Sequence, residues 1–134
     1  MLSAYDKYET VMGLETHVRV KSNTKMFCSC RNALELAPEP NINVCPVCMG
    51  FPGMLPTLSA GVIDLAVRAS HAMRCDVQET SIFDRKSYFY PDLPMGYQIT
   101  QLYQPIAMWG EVRALIEKEE KTFRIHHMHI ENDA

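Results

Sequence analysis

The chain has 134 residues, 47% of them hydrophobic, and a formal net charge of −3. That length fits one domain able to bury most of its apolar surface without staples. The charge excludes a nucleic-acid binder that works through an overall basic field, so any such contact must come from a local patch.

The opening "MLSAYDKYE" has no apolar run of signal-peptide or membrane-spanning length. The expectation is a soluble protein of the cytoplasm, or of a mitochondrial matrix or plastid stroma, with no membrane partner. "YETVMGLETHVRVKS" then alternates as a strand does. Met12, Leu14, Val18 and Val20 share one face with Thr16, while Gly13, Glu15, His17 and Arg19 take the other. A carboxylate and an imidazole thus sit side by side on a face that is not core.

"FCSCRNALELAPEPNINVCPVC" follows. Cys28 and Cys30 form one short pair, Cys45 and Cys48 a second, with fourteen residues between the pairs. Five cysteines, an odd number, without a secretion signal argue against a disulfide framework. Each short pair offers two thiolates from one tight turn, which is what tetrahedral zinc requires, and Pro46 and Gly50 suit a knuckle. Four protein ligands leave no open position, so the metal holds structure and does no chemistry. A redox Cys-x-x-Cys reading gives Cys28 and Cys30 no role. Cys75 is the odd thiol, expected as an ordinary core or surface residue.

Past the turn-rich "GFPGMLPTLSAG", the pattern becomes helical from about Ser59 to Arg74. Val62, Leu65, Ala66, Ala69 and Met73 form the buried stripe, and Ser59 or Thr57 the N-cap. Asp64 and Arg68 form an i, i+4 pair opposite, with His71 solvated beside them. Residues 81–106 read as a long irregular segment dense in aromatics and prolines. There Arg85 and Lys86 interleave with Phe83, Tyr88, Phe89, Tyr90 and Tyr97, a composition suited to a single-stranded nucleic-acid end. "EVRALIE" and "KTFRIHHMHIEND" read as a hairpin joined across "KEE". In its second run Met128 and Ile130 point one way, and His127, His129, Glu131 and Asp133 the other. If the first and last strands are neighbours, Glu15 and His17 meet Glu131 or Asp133, a donor set that suits a hard divalent cation. The fold class expected is α+β: a mostly antiparallel sheet, a packed helix and a four-cysteine zinc knuckle at 27–50. The strand-like run ending in "HIENDA" reads as the front part of something longer.

Taken together, "MGLETHV", "MFCSC", "NVCPVCMGFPGMLP", "FDRKSYFYPDLPMGYQITQ", "QPI" and "IHHMHIENDA" resemble, in the same order, the B component of the tRNA-dependent amidotransferases. The resemblance runs from about Tyr8 to Ala134. It implies the first part of a glutamine-synthetase-like catalytic domain, with the rest of that domain and C-terminal helical and tail domains lying beyond it. It also implies an ATP-dependent carbon–nitrogen ligase. The side-chain carboxylate of Glu-tRNA(Gln) or Asp-tRNA(Asn) is phosphorylated, then attacked by ammonia from a partner glutaminase (amidase) subunit in a complex with a small third subunit. Glu15 and His17 fall in the family's metal-associated Gly-Leu-Glu-x-His element, and Glu131 in a second acidic element where Asn132 replaces a carboxylate. The resemblance therefore implies Mg²⁺ at Glu15, His17 and Glu131, and zinc at the four cysteines. Arg85 and Lys86 are the candidates for phosphate or carboxylate oxygens, and Tyr88, Tyr90 and Asp92 for the ATP and adenosine side of the pocket. The competing readings are a non-catalytic zinc-ribbon module that binds RNA or a protein partner, and a thiol redox protein.

Overall fold

The computed structural model describes residues 4–32 and 39–132 of the chain. In chain order it contains a helix α1 (Ala60–Ala72), strands β1 (Asp76–Val77), β2 (Asp84–Ser87) and β3 (Tyr97–Thr100), and a long hairpin of β4 (Ala107–Ile116) and β5 (Glu119–Met128). β1, β4 and β5 form one antiparallel sheet in that order, and β2 pairs with β3 in a second, two-stranded one. The α+β class with antiparallel sheets and one helix is therefore observed.

Ser59 is the N-cap of α1, although its side chain makes no capping bond. The buried stripe is Val62, Ala66 and Ser70, rotated from the expected one, and Met73 is exposed. Ser70 tolerates full burial because its hydroxyl donates to the carbonyl of Ala66, 2.9 Å away. The helix stops in a Schellman turn. Arg74 adopts φ 56°, its N–H bonds the His71 carbonyl, and the Cys75 N–H bonds that of Ser70. A bulky residue holds this left-handed position while its guanidinium pairs with Glu111 on β4. The turn throws Cys75 into the core beside Ala66, Ile106 and Ala107, against Ile63, Val67, Val77, Ile125, Met128 and Ile130. Helix and sheet come so close there that Gly110 has no room for a side chain: a Cβ would lie 2.2 Å from Cys75 Sγ.

Three expectations need correction. Residues 8–22, expected as the first strand, form no strand, and Met12, Leu14 and Val18 stay at least 75% exposed. Alternation states which face a strand would bury; a ladder also needs a partner, and no described strand pairs with this segment although β5 has a neighbour on one side only. Residues 81–106 are not irregular throughout, because β2 and β3 pair within them with Arg85 opposite Ile99 and Lys86 opposite Gln98. The turn between β4 and β5 is two residues, Glu117 and Lys118, both at positive φ, so Glu119 and Glu120 belong to β5. That is the twist a two-residue hairpin turn demands.

The hairpin also changes face partway. The β4–β5 ladder pairs Met108 with His127 and Gly110 with Ile125 but skips Trp109 and His126, and Trp109 has φ 57°. Ile125 and Met128 both pack toward the core, three residues apart, while His126 and His127 are both exposed. A strict period of two puts His126 on the core side with Met128; the left-handed residue across from it removes that constraint.

Candidate metal centre and carboxylate–imidazole site

The four cysteines Cys28, Cys30, Cys45 and Cys48 converge, with their Sγ atoms within 4.8 Å of one another. Local hydrogen bonds build each half. An isolated bridge between Thr24 and Arg31, with Lys25 N–H donating to the Cys30 carbonyl, closes the loop that carries the first pair. Met49, Gly50 and Phe51 N–H groups donate to the carbonyls of Cys45, Val47 and Pro46, closing the second. Gly50 takes φ 66° at that turn, and a Cβ there would meet Met95. Lys25 joins the halves: its ammonium donates to the Asn43 carbonyl and stands 3.9 Å from Cys48 Sγ.

The thiols titrate unequally. The Cys48 N–H bonded to its sulfur brings Cys45 down to about 7. Burial, followed by hydrogen bonding with Cys45 and Cys28, pushes Cys30 up to about 12. Burial raises Cys28 as well. Crowded thiols that resist ionising together are a donor set that a divalent cation resolves. A tetrahedron with Zn–S bonds of about 2.3 Å needs sulfurs about 3.8 Å apart, and the cluster fits that with slight contraction. All five cysteines are free of disulfides.

The knuckle is tied to two neighbours. Thr57 and Ser59 N–H groups donate to the carbonyls of Phe27 and Met26, fixing the entry to α1. Asn32 accepts from Arg19 at 2.9 Å and donates to the Val20 carbonyl and to Ser22 Oγ. The segment carrying Glu15 and His17 is therefore anchored at its end by the knuckle.

A second cluster gathers where that segment passes the end of β5. Glu131 lies between two imidazoles, 3.5 Å from His17 Nδ1 and 3.4 Å from His129 Nε2. Glu15 is close enough to His127 to favour its charged form, but burial and the neighbouring His129 and His126 outweigh it and hold that imidazole below its ordinary value. His126 and His127 meet through their Nδ1 atoms at 2.9 Å. The sequence thus paired the right elements by the wrong means: His17 meets Glu131 without any strand pairing. Asp133 lies outside the described residues.

Asn132, which stands where a carboxylate was expected, uses its side chain structurally. Its Oδ1 accepts from Ile99 N–H at 2.6 Å, its own N–H returns a bond to the Ile99 carbonyl, and its carbonyl accepts from Gln98 Nε2. The segment beyond Met128 is thereby stitched to β3. Parity puts His129 on Glu131's face, and its position two residues from that carboxylate is the sequence signal for a place at the site. Gln98 and Gln101 had no sequence signal at all.

The basic hairpin flanks this seam through β3. Arg85 lies 4.6 Å over the ring of Tyr97 and Lys86 5.3 Å over that of Tyr88, whose ring stacks with Tyr90 at 5.8 Å. Phe89 is 85% and Tyr90 60% exposed, so these aromatics are not core packing. Asp84 accepts from Leu102 N–H, and among the described residues no ion pair joins Arg85 or Lys86 to Glu131. Asp92 is exposed in the turn after Tyr90.

The family model for the GatB/GatE catalytic domain matches residues 10–134. The aspartyl/glutamyl-tRNA(Asn/Gln) amidotransferase B component of Persephonella marina is 49% identical over 128 residues, 96% of this chain and 27% of that protein. The protein of the same name from Pseudothermotoga lettingae is 49% identical over 127 residues, covering 95% of this chain and 26% of its own length. A Physcomitrium patens relative, the chloroplastic/mitochondrial glutamyl-tRNA(Gln) amidotransferase B component, is 48% identical over 133 residues, 96% of this chain and 23% of its own length. The chain spans about a quarter of the length of the curated relatives it matches. Among the described residues no helix is long and apolar enough to cross a membrane.

Proposed function

Because the chain belongs to the GatB/GatE catalytic-domain family, we propose that it forms the front of the unit that amidates misacylated tRNA. The reaction is ATP-dependent phosphorylation of the side-chain carboxylate of Glu-tRNA(Gln) or Asp-tRNA(Asn), followed by attack of ammonia from a glutaminase subunit. In this reading the unit is glutamine-synthetase-like, continues into further domains and works with a small third subunit. The site is soluble, in the cytoplasm or an organelle matrix.

The observation that carries the reading is the Glu131 carboxylate bracketed by His17 and His129, with Glu15 alongside. The carboxylate oxygens suit a divalent cation such as Mg²⁺ that also binds phosphate oxygens, and His17 adds a softer nitrogen donor beside them. Glu15, His17 and Glu131 would hold it, although among the described residues only the cysteines already stand within 4.8 Å as a group of three or more. A cation held by these residues would offset charge on a transferring phosphoryl group. Arg85 and Lys86 stabilise phosphate or carboxylate oxygens from the hairpin. Tyr88 and Tyr90, already stacked, receive the terminal adenosine or the ATP base, with Asp92, exposed in the turn that follows Tyr90, assigned to the same side of the pocket. Zinc at Cys28, Cys30, Cys45 and Cys48 keeps the anchoring loop rigid and takes no part in the chemistry.

The test is amidation of Glu-tRNA(Gln) and Asp-tRNA(Asn) by the assembled amidotransferase carrying this chain, comparing wild type with Glu131→Gln and Arg85→Ala. The expected result is loss of about 100-fold or more with either variant, the scale seen when one preorganised electrostatic group is removed. Normal amidation by the Arg85 variant would strike that residue from the site. Normal amidation by the Glu131 variant, with RNA still bound, would favour a non-catalytic zinc module.

A further inference from the structure

The geometry points to Gln101 as the residue that positions Glu131 against His17. It deepens the reading above, since Glu131 is the carboxylate on which that reading rests. Gln101 is 3% exposed, and both ends of its amide are used. Its Oε1 accepts the N–H groups of Ile106 at 3.1 Å and Ile130 at 3.0 Å, and its Nε2 donates to Ser81 Oγ. Ser81 in turn donates to the Gln104 carbonyl. One buried side chain thus joins the end of β3, the entry to β4 and the chain just beyond β5.

That last connection matters for the site. Past Met128 the chain leaves the β4–β5 ladder, so its ladder bonds no longer fix it. Glu131 is carried between two anchors: Ile130, bonded to Gln101, and Asn132, bonded to Ile99 and Gln98. The Asn132 anchor is repeated three times, whereas the Ile130 N–H rests on the Gln101 oxygen. Removing that oxygen strands two N–H groups, one of them buried, and leaves side-chain packing of Ile130 as the tie at that end, so the backbone carrying Glu131 shifts about Asn132. The Glu131–His17 distance of 3.5 Å is then lost. Gln101 touches neither imidazole; it acts through the backbone.

The experiment reads the histidine ring signals of this chain by carbon-edited NMR in wild type, Gln101→Leu and Gln101→Glu, each with and without Glu131→Gln. In wild type Glu131→Gln shifts the His17 ring signal, while His71, exposed on α1, does not move. In Gln101→Leu that shift is lost. In Gln101→Glu, which keeps an acceptor oxygen for Ile106 and Ile130, it returns. A purely structural role would lower stability without abolishing the coupling. The proposal is overturned by a folded Gln101→Leu protein in which Glu131→Gln still shifts His17, or by a wild type in which it does not. If the Leu variant fails to fold by circular dichroism, Gln101→Asn replaces it with the same expected loss, because its amide is one methylene short of reaching both N–H groups. Mn²⁺ broadening of the His17 and His129 signals reports separately on the metal role. Its absence from wild type overturns that role, and the His17 shift still decides the positioning of Glu131.

Discussion

Cys45 and Cys30 are perturbed in opposite directions: the Cys48 N–H on its sulfur brings Cys45 down to about 7, while burial pushes Cys30 up to about 12. A divalent cation held by all four sulfurs would have to displace the remaining thiol protons. Elemental analysis is expected to give about one zinc per chain in wild type. Cys45→Ser should lose it, with a lower melting temperature that a chelator reproduces in wild type. Zinc retained by the serine variant would contradict a four-cysteine site. Glu111 makes a different single-residue case. Arg74 and Arg113 hydrogen-bond its carboxylate and hold it below its ordinary value of 4.5. A carboxyl depressed in the folded state stabilises the fold above its unfolded value, and that stability disappears as pH falls through the folded value. Glu111→Gln should therefore flatten the loss of stability below about pH 4.5 in an acid titration followed by circular dichroism. An unchanged acid limb would mean the pair is screened out by solvent.

Among the elements, the β4–β5 hairpin is the best specified, since its ladder runs from Ala107 opposite Met128 to Ile116 opposite Glu119. Its turn is locally strained: Glu117 has φ 50° and Lys118 φ 72°. A left-handed conformation costs a residue with a side chain about 1–2 kcal/mol, part of which glycine recovers. Lys118→Gly should raise stability by about 0.5–1 kcal/mol, seen as a higher urea midpoint at unchanged slope. A lower midpoint would mean that the lysine stem contributes packing that outweighs the backbone relief. The helix and this hairpin were legible because periodicity and length are local properties. The β2–β3 pair was not, because Pro91 and Pro94 and a run of aromatics mask two four-residue strands whose only definition is each other.

At the scale of the whole molecule, the chain exposes 11091 Å². A compact monomer of 15.3 kDa is expected to expose about 7,100 Å². The excess is visible in the first segment, where Met12 is 84% and Leu14 90% exposed. Without a ladder, residues 8–22 hold on through Asn32 and through His17 on Glu131. Limited trypsin digestion should accordingly cut after Arg19 or Lys21 before any site within β4 or β5, as read by intact mass. First cuts inside the hairpin would show that the opening segment is better protected than its bonding implies.

By itself the sequence determined the thiol pairs, the helix, the long hairpin and the face that groups His127, His129 and Glu131. Each depends on spacing within a few residues, which covalent geometry converts directly into direction. Tertiary structure alone decided that the opening segment forms no strand, that Trp109 turns the hairpin over between Ile125 and Met128, and that Asn132 spends its amide on β3. It also decided that Gln101, with no motif around it, holds the carboxylate segment in place. Those outcomes depend on which backbone groups find partners far along the chain, and no local pattern encodes that pairing.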